Sequence, residues 1–237
     1  MTPEELQARL LYRDGLLLVI DKPAGIAVHR GPKGGESLEG YFSALRYGLP
    51  RDPALAHRLD RETSGCLALG RHHKALERLG LLFKQGRVGK CYWAVVEGAP
   101  AQEEGLIDLP LGRLNSSRGW WMKVDPMGAK AQTRWRVLGK NDTLALLALT
   151  PLTGRTHQLR VHCAAMGFPI LGDRIYGTRG DTDPMLHLHA RGIEIPLYKN
   201  QDPVRVEAPP PSHMRELVGK LFGSAPAESP ENARPLT

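Results

Sequence analysis

His57-Arg58-Leu59-Asp60-Arg61-Glu62-Thr63-Ser64-Gly65 sets one carboxylate, Asp60, between two arginines. The flanking guanidiniums favour its ionised form. Such a carboxylate is a poor general acid and is better suited to act as a nucleophile or to stabilise a developing cation. Arg58 and Arg61 also leave positive charge to spare for phosphates. On the segment alone, an ion-paired aspartate in a turn is clearly the better explanation of these residues.

The surroundings weigh against that plain explanation. From Arg51 to Lys90 there are nine Lys/Arg and four Asp/Glu, whereas the first fifty residues hold six of each sign. The net charge of +7 is thus concentrated around the Asp60 segment. A clustered basic charge favours a polyanionic partner, nucleic acid first. With 237 residues, 41% of them hydrophobic, the chain can bury a substantial core.

Outward from Asp60, short strand-like and helix-like stretches alternate without a regular βαβ rhythm. Leu16–Ile20 reads as a buried strand stopped by Lys22-Pro23-Ala24-Gly25, and Ile26–His29 as a second strand. Ser37 is expected to cap a helix carrying Leu38, Phe42 and Leu45 and ending at Gly48. Cys66–Leu69 reads as a strand, and Leu76, Leu79 and Phe83 recur at helical spacing before Gly86. Cys91–Val96 is strand-like, with Tyr92, Ala94 and Val96 on one face and Trp93 and Val95 on the other.

Gln132–Leu138 and Thr143–Leu149 read as paired strands about the turn Gly139–Asp142. Thr156 is expected to cap a helix bearing Leu159, Cys163 and Met166, closed by Gly167, and Leu186–Ile195 to add a strand. From Pro209 the tail is Pro-rich, and after Gly223 it is expected to be disordered. Many strands with interspersed helices predict an α+β fold with a mixed, largely antiparallel sheet. The expected organisation is a lead-in over residues 1–15, one catalytic domain over 16–222 and a tail over 223–237.

HRLDRETSG resembles the signature of the RluA family of pseudouridine synthases, with Asp60 at the essential aspartate. Other segments carry the resemblance in register. They are Asp21–Gly25, Lys90–Gly98 (KCYWAVVEG), Gly154–His162 (GRTHQLRVH), Gly167–Asp173 with Tyr176-Gly177, and Leu186–Ala190. The match runs from about Leu16 to Pro211, and several long motifs in order are far more specific than any one of them.

The resemblance implies an RNA-modifying isomerase with a central RNA-binding cleft flanked by helices. It implies Asp60, Tyr92 and Arg155 as catalytic residues: Arg155 pairs with the aspartate, and Tyr92 stacks on uracil and can carry a proton. It implies that Leu159 packs the other face of the base and that Arg58 fills the gap left by a flipped nucleotide. His57, Arg61, Thr63 and Arg160 complete the expected substrate-binding set.

No cofactor is expected: Gly31–Gly35 lacks the GK[ST] of a phosphate loop, and no dinucleotide fingerprint occurs. No metal is expected either, because His157, His162, His187 and His189 have no Cys pair or carboxylate at ligand spacing. The partner expected is ribosomal or transfer RNA, without membrane, and the state a monomer. Three sparse cysteines and no apolar leader or span point to the cytoplasm. Many relatives carry an N-terminal S4-like domain. The residues before Leu16 do not accommodate one, so substrate choice is expected to rest on the catalytic domain and its basic segment. A catalytically silent RNA-binding protein and a uracil-releasing glycosidase are the competing readings.

Overall fold

A computed structural model describes residues 1–31, 34–115, 120–178 and 185–222. In chain order the elements are α1 (Pro3–Gln7), β1 (Leu10–Arg13), β2 (Leu17–Lys22), a 3₁₀ helix (Leu38–Leu45), β3 (Ala54–Leu55), β4 (Ser64–Gly70), α2 (His73–Lys84) and β5 (Gly89–Glu97). There follow β6 (Glu104–Asp108), β7 (Leu111–Arg113), β8 (Met122–Val124), β9 (Gln132–Lys140), β10 (Leu144–Pro151), α3 (Gln158–Ala165), β11 (Leu188–Ile195), β12 (Val204–Glu207) and α4 (Ser212–Phe222). The fold is α+β, as predicted. Its chain groups into two compact units, residues 1–89 with 190–209, and residues 90–189 with 210–237.

In the first unit β2 is the central strand, with β1 and β4 antiparallel on either side. Both faces of its apolar run are buried: Leu17, Leu18, Val19 and Ile20 are all fully covered. Leu17 and Val19 join Cys66, Ala68, Leu79, Leu82 and Ile193 in the core, so α2 packs across β2 and β4. The buried stripe of α2 is Ala75, Leu79 and Leu82 rather than the expected Leu76, Leu79 and Phe83. β12 closes the edge beyond β11, antiparallel to it.

Residues 1–15 are built into this unit. Thr2 and Glu5 form a reciprocal capping box on α1, with Pro3 at its first position. The predicted strand over Ile26–His29 is reduced to a single bridge from Ala27 to Ser37. The expected helix after Ser37 is a 3₁₀ helix. Its Leu38, Phe42 and Leu45 are buried as predicted, but the Ser37 side chain makes no capping bond.

The second unit is built on β5, β10, β9 and β6, each antiparallel to the next. β5 presents two different faces, as its alternation requires. Ala94 and Val96 pack with Leu147, Leu149, Leu159 and Cys163. Cys91, Trp93 and Val95 pack with Leu146, Ala148, Met214 and Val218. The last two belong to α4, so the Pro-rich tail returns as a helix that covers this face. Its apolar residues at i and i+4 supply the burial that the prolines obscured in the sequence. The predicted disordered stretch from residue 223 lies outside the described residues.

The β9–β10 turn forms where expected, with Asn141 Oδ1 accepting from the Thr143 and Leu144 amides. Among the described residues no helix is long and apolar enough to cross a membrane.

Candidate active site

The Asp60 segment lies between β3 and β4 in the first unit and is fixed from beneath by Lys22. Leu18, Ile20 and Lys22 share one face of β2, and all three are fully buried. The Lys22 ammonium donates to the carbonyls of Pro23 (2.8 Å), Arg61 (3.0 Å) and Thr63 (2.9 Å). Burial pushes its pKa down to about 8, against the pull of the Glu62, Asp60 and Asp21 carboxylates. The three donations bracket Asp60 on its C-terminal side and tie it to the β2 turn.

Further bonds lock the same loop. The Thr63 amide donates to the Asp60 carbonyl at 3.1 Å, which closes a tight turn. The Gly25 amide donates to the Arg61 carbonyl at 2.9 Å, and Arg61 Nε donates back to the Gly25 carbonyl at 2.8 Å. Leu59 points into the core at 4% exposure. Gly65 has φ +105°, and a Cβ there would sit 2.3 Å from the Ala190 carbonyl oxygen. Only glycine allows that backbone approach where the loop enters β4.

The Asp60 side chain is 22% exposed, with an Arg58 guanidinium nitrogen 3.9 Å away. Arg58 itself is 67% exposed, so it is available to a ligand. His57 Nε2 accepts from the Ala68 amide at 3.0 Å, and its ring stacks on Phe83 with centroids 4.6 Å apart. Thr63 is buried. Of these two, both expected to bind substrate, Thr63 holds an interior position, while His57 is half-buried against Phe83 and β4.

Tyr92, Leu159, Arg155 and Arg160 belong to the second unit. Tyr92 pairs with Leu149 across β5 and β10 and packs, partly exposed, on the cluster that contains Leu159. Arg155 is exposed, and its Nε donates to the Lys130 carbonyl at 3.0 Å. Thr156 does not cap α3, contrary to the sequence expectation. His157, at φ +52°, occupies the cap position without a side-chain cap bond. The buried Gln158 instead fixes the turn that leads into α3. Its Oε1 accepts from the Arg155 amide (3.0 Å) and Thr153 Oγ1 (2.7 Å), and its Nε2 donates to Gln132 O and Thr133 Oγ1.

Arg160, expected to touch substrate, is 5% exposed. It donates through Nε and Nη2 to the two Asp173 oxygens at 2.8 and 2.6 Å. Burial alone would push the Asp173 carboxyl up; the guanidinium and the Ile175 and Tyr176 amides outweigh it and hold it below the usual range. This bidentate pair makes Arg160 a positioning residue for the segment after α3. His157, His162 and His187 each meet a protein oxygen, at Tyr176, Thr133 and Met185.

Lys22 and Gln158 lie within quoted motifs, but sequence reasoning gave them no role. For Lys22 a signal existed: it falls on an inward position of a buried strand, where a lysine needs a polar reason to be.

The sequence model of the RNA pseudouridylate synthase family matches residues 16–165. An uncharacterised RNA pseudouridine synthase of Zymomonas mobilis is 46% identical over 90% of this chain and 98% of its own length. The ribosomal large subunit pseudouridine synthase C of Vibrio cholerae is 35% identical over 92% of this chain and 70% of its own. Among solved structures, human RNA pseudouridylate synthase domain containing 4 superposes with a TM-score of 0.80 at 26% identity, covering 92% of this chain and 95% of its own. Shared residues and a shared backbone over nine-tenths of the sequence leave one assignment: the chain belongs to the RluA family of RNA pseudouridine synthases.

Proposed function

We propose that the enzyme isomerises specific uridines in ribosomal or transfer RNA and that Asp60 is its catalytic carboxylate. The observation that carries the assignment to Asp60 is the clamp beneath it. A buried ammonium on three carbonyls holds the loop of a partly exposed carboxylate in one geometry. A carboxylate held in one place meets the reacting atoms without a further cost of orientation. The relative named for the ribosomal large subunit supports ribosomal RNA as one substrate class.

The reaction breaks the C1′–N1 bond of uridine, turns the uracil and forms C1′–C5. C5 loses a proton and N1 gains one, so composition and oxidation state are unchanged and no cofactor is needed. Positive character builds on the sugar as the first bond breaks, and an anion beside it lowers the barrier. Asp60 supplies that anion. Tyr92 stacks on uracil and relays the C5 proton, and Leu159 covers the other face of the base. The family resemblance gives Arg155 the role of partner to the catalytic carboxylate; Arg58 occupies the space left by the flipped nucleotide and Arg61 holds phosphate. Unstacking costs a few kcal/mol, which Arg58 offsets in part through stacking and phosphate contact.

The test is a pseudouridine map. Total RNA from a strain lacking the gene is treated with the purified protein or with Asp60→Ala, then located by carbodiimide and reverse-transcription sequencing. New sites that require Asp60 are expected. Sites made equally by Asp60→Ala remove it from the mechanism. Free uracil in place of pseudouridine indicates a glycosidase, and unmodified RNA a binding protein.

A further inference from the structure

The second unit carries a basic hairpin that the chemistry above does not use. β7 and β8 pair Arg113 with Met122 and Gly112 with Lys123. The hairpin is fastened at several points. The Met122 amide donates to the Tyr176 hydroxyl at 2.9 Å, and the Leu114 amide to the Trp121 carbonyl at 2.7 Å. Leu111 and Val161 of α3 share a small core on which Met122 and Tyr176 pack.

Trp120 sits beside these fixed points. Its indole meets the His157 ring at 5.1 Å and 82°, and the Trp121 ring at 6.1 Å and 68°. His157 is in turn held by the Tyr176 hydroxyl at 2.8 Å. Despite these contacts, 58% of Trp120 remains in solvent. A singly exposed apolar side chain is ordinary. This one is braced on a ring scaffold and set among cations. The described residues of the hairpin and the segment after it include Arg113, Lys123 and Lys130 against Asp125. Arg113, Lys123 and Lys130 are exposed, and the Lys130 carbonyl accepts from Arg155. The positive strip thus runs from the hairpin to the residue two places before His157.

We propose that Trp120 is a stacking platform for an unpaired base of the substrate RNA other than the target uridine, with Arg113, Lys123 and Lys130 on the adjoining phosphates. The proposal rests on the RNA-modifying reading above. An indole stacks on any base, and cations track the backbone beside it, so the platform selects single-stranded over paired RNA. A braced ring gives up little freedom when the base arrives.

The test uses a labelled oligocytidylate of roughly 12 nucleotides, which contains no uridine and cannot turn over, beside an RNA duplex of about 20 base pairs. Trp120→Leu is expected to weaken oligocytidylate binding about tenfold and to leave duplex binding within about twofold. Trp120→Phe keeps most of the affinity, and oligocytidylate quenches its indole emission less than that of the wild type. Unchanged oligocytidylate affinity in Trp120→Leu, or equal losses on both RNAs, overturns the proposal. Should Trp120→Leu not fold, unchanged quenching in Trp120→Phe overturns it equally. Trp120-dependent binding in a wild-type protein that makes no pseudouridine would sink the catalytic reading and leave the platform standing. Pseudouridine formation without Trp120-dependent binding does the reverse.

Discussion

Replacing Lys22 by Met tests the clamp beneath Asp60 directly. The methionine fits a buried strand position but donates nothing. The Arg61 carbonyl keeps the Gly25 amide, while the Pro23 and Thr63 carbonyls lose the ammonium. Three charge-assisted bonds are worth roughly 1.5–3 kcal/mol each. Against this, burial of the ammonium costs about 3 kcal/mol, read from a pKa that falls from 10.5 to about 8. The difference centres near 3 kcal/mol of lost stability, or about 6–12 °C in Tm for a chain of this size. Loosening the loop by about 1 Å would lower kcat about a hundredfold, with KM changed much less.

The pH dependence gives an independent sign. Between pH 8 and 10.5 the folded protein has released the Lys22 proton while the unfolded chain still holds it. The unfolded state then binds more protons, so this group makes stability rise with pH across that window. The Lys22→Met variant lacks the effect, so the Tm gap between wild type and variant widens from about pH 7.5 to about pH 10. Calorimetry and single-turnover release of tritium from C5-labelled uridine in RNA measure both arms. A Tm within about 2 °C of wild type with kcat within about threefold, or a gap that narrows with pH, would refute the reasoning.

Gly65→Ala meets both a positive φ and the Ala190 carbonyl, so a loss of about 3 kcal/mol or more is expected in urea denaturation; a wild-type midpoint would show that the loop can shift at little cost. Asp173→Asn breaks the buried pair with Arg160 and should cost about 3–5 kcal/mol at neutral pH. Since the Asp173 pKa is depressed, its contribution is present above the ordinary carboxyl range and lost as pH falls below it; an unchanged acid midpoint in the variant contradicts this. Cys66, Cys91 and Cys163 are all buried, and burial pushes the thiols of Cys66 and Cys163 up to about 12. The native protein should therefore resist iodoacetamide at about pH 8 until unfolded, and a labelled native thiol would count against that.

The sequence by itself determined the chemistry and much of the strand pattern. HRLDRETSG, KCYWAVVEG and GRTHQLRVH are contiguous, so their identity survives without knowledge of the fold. The alternation in Cys91–Val96 likewise forecast which side chains face each core, because side chains on a strand alternate whatever the neighbours. Tertiary structure decided what depends on partners distant in the chain. Ile26–His29 has strand composition but almost no ladder to join, so only one bridge forms. Residues 212–222 become a helix because Met214 and Val218 find Trp93 and Val95 to cover. Thr156 looked like a cap, yet Gln158 captures the Arg155 amide, since its other end is anchored on β9. Arg160 read as a contact for RNA and Lys22 as a turn residue until the fold supplied Asp173 and three carbonyls. A charge has the same letter in the interior as at the surface; burial and the partners brought by the fold decide whether it clamps the protein or meets the RNA.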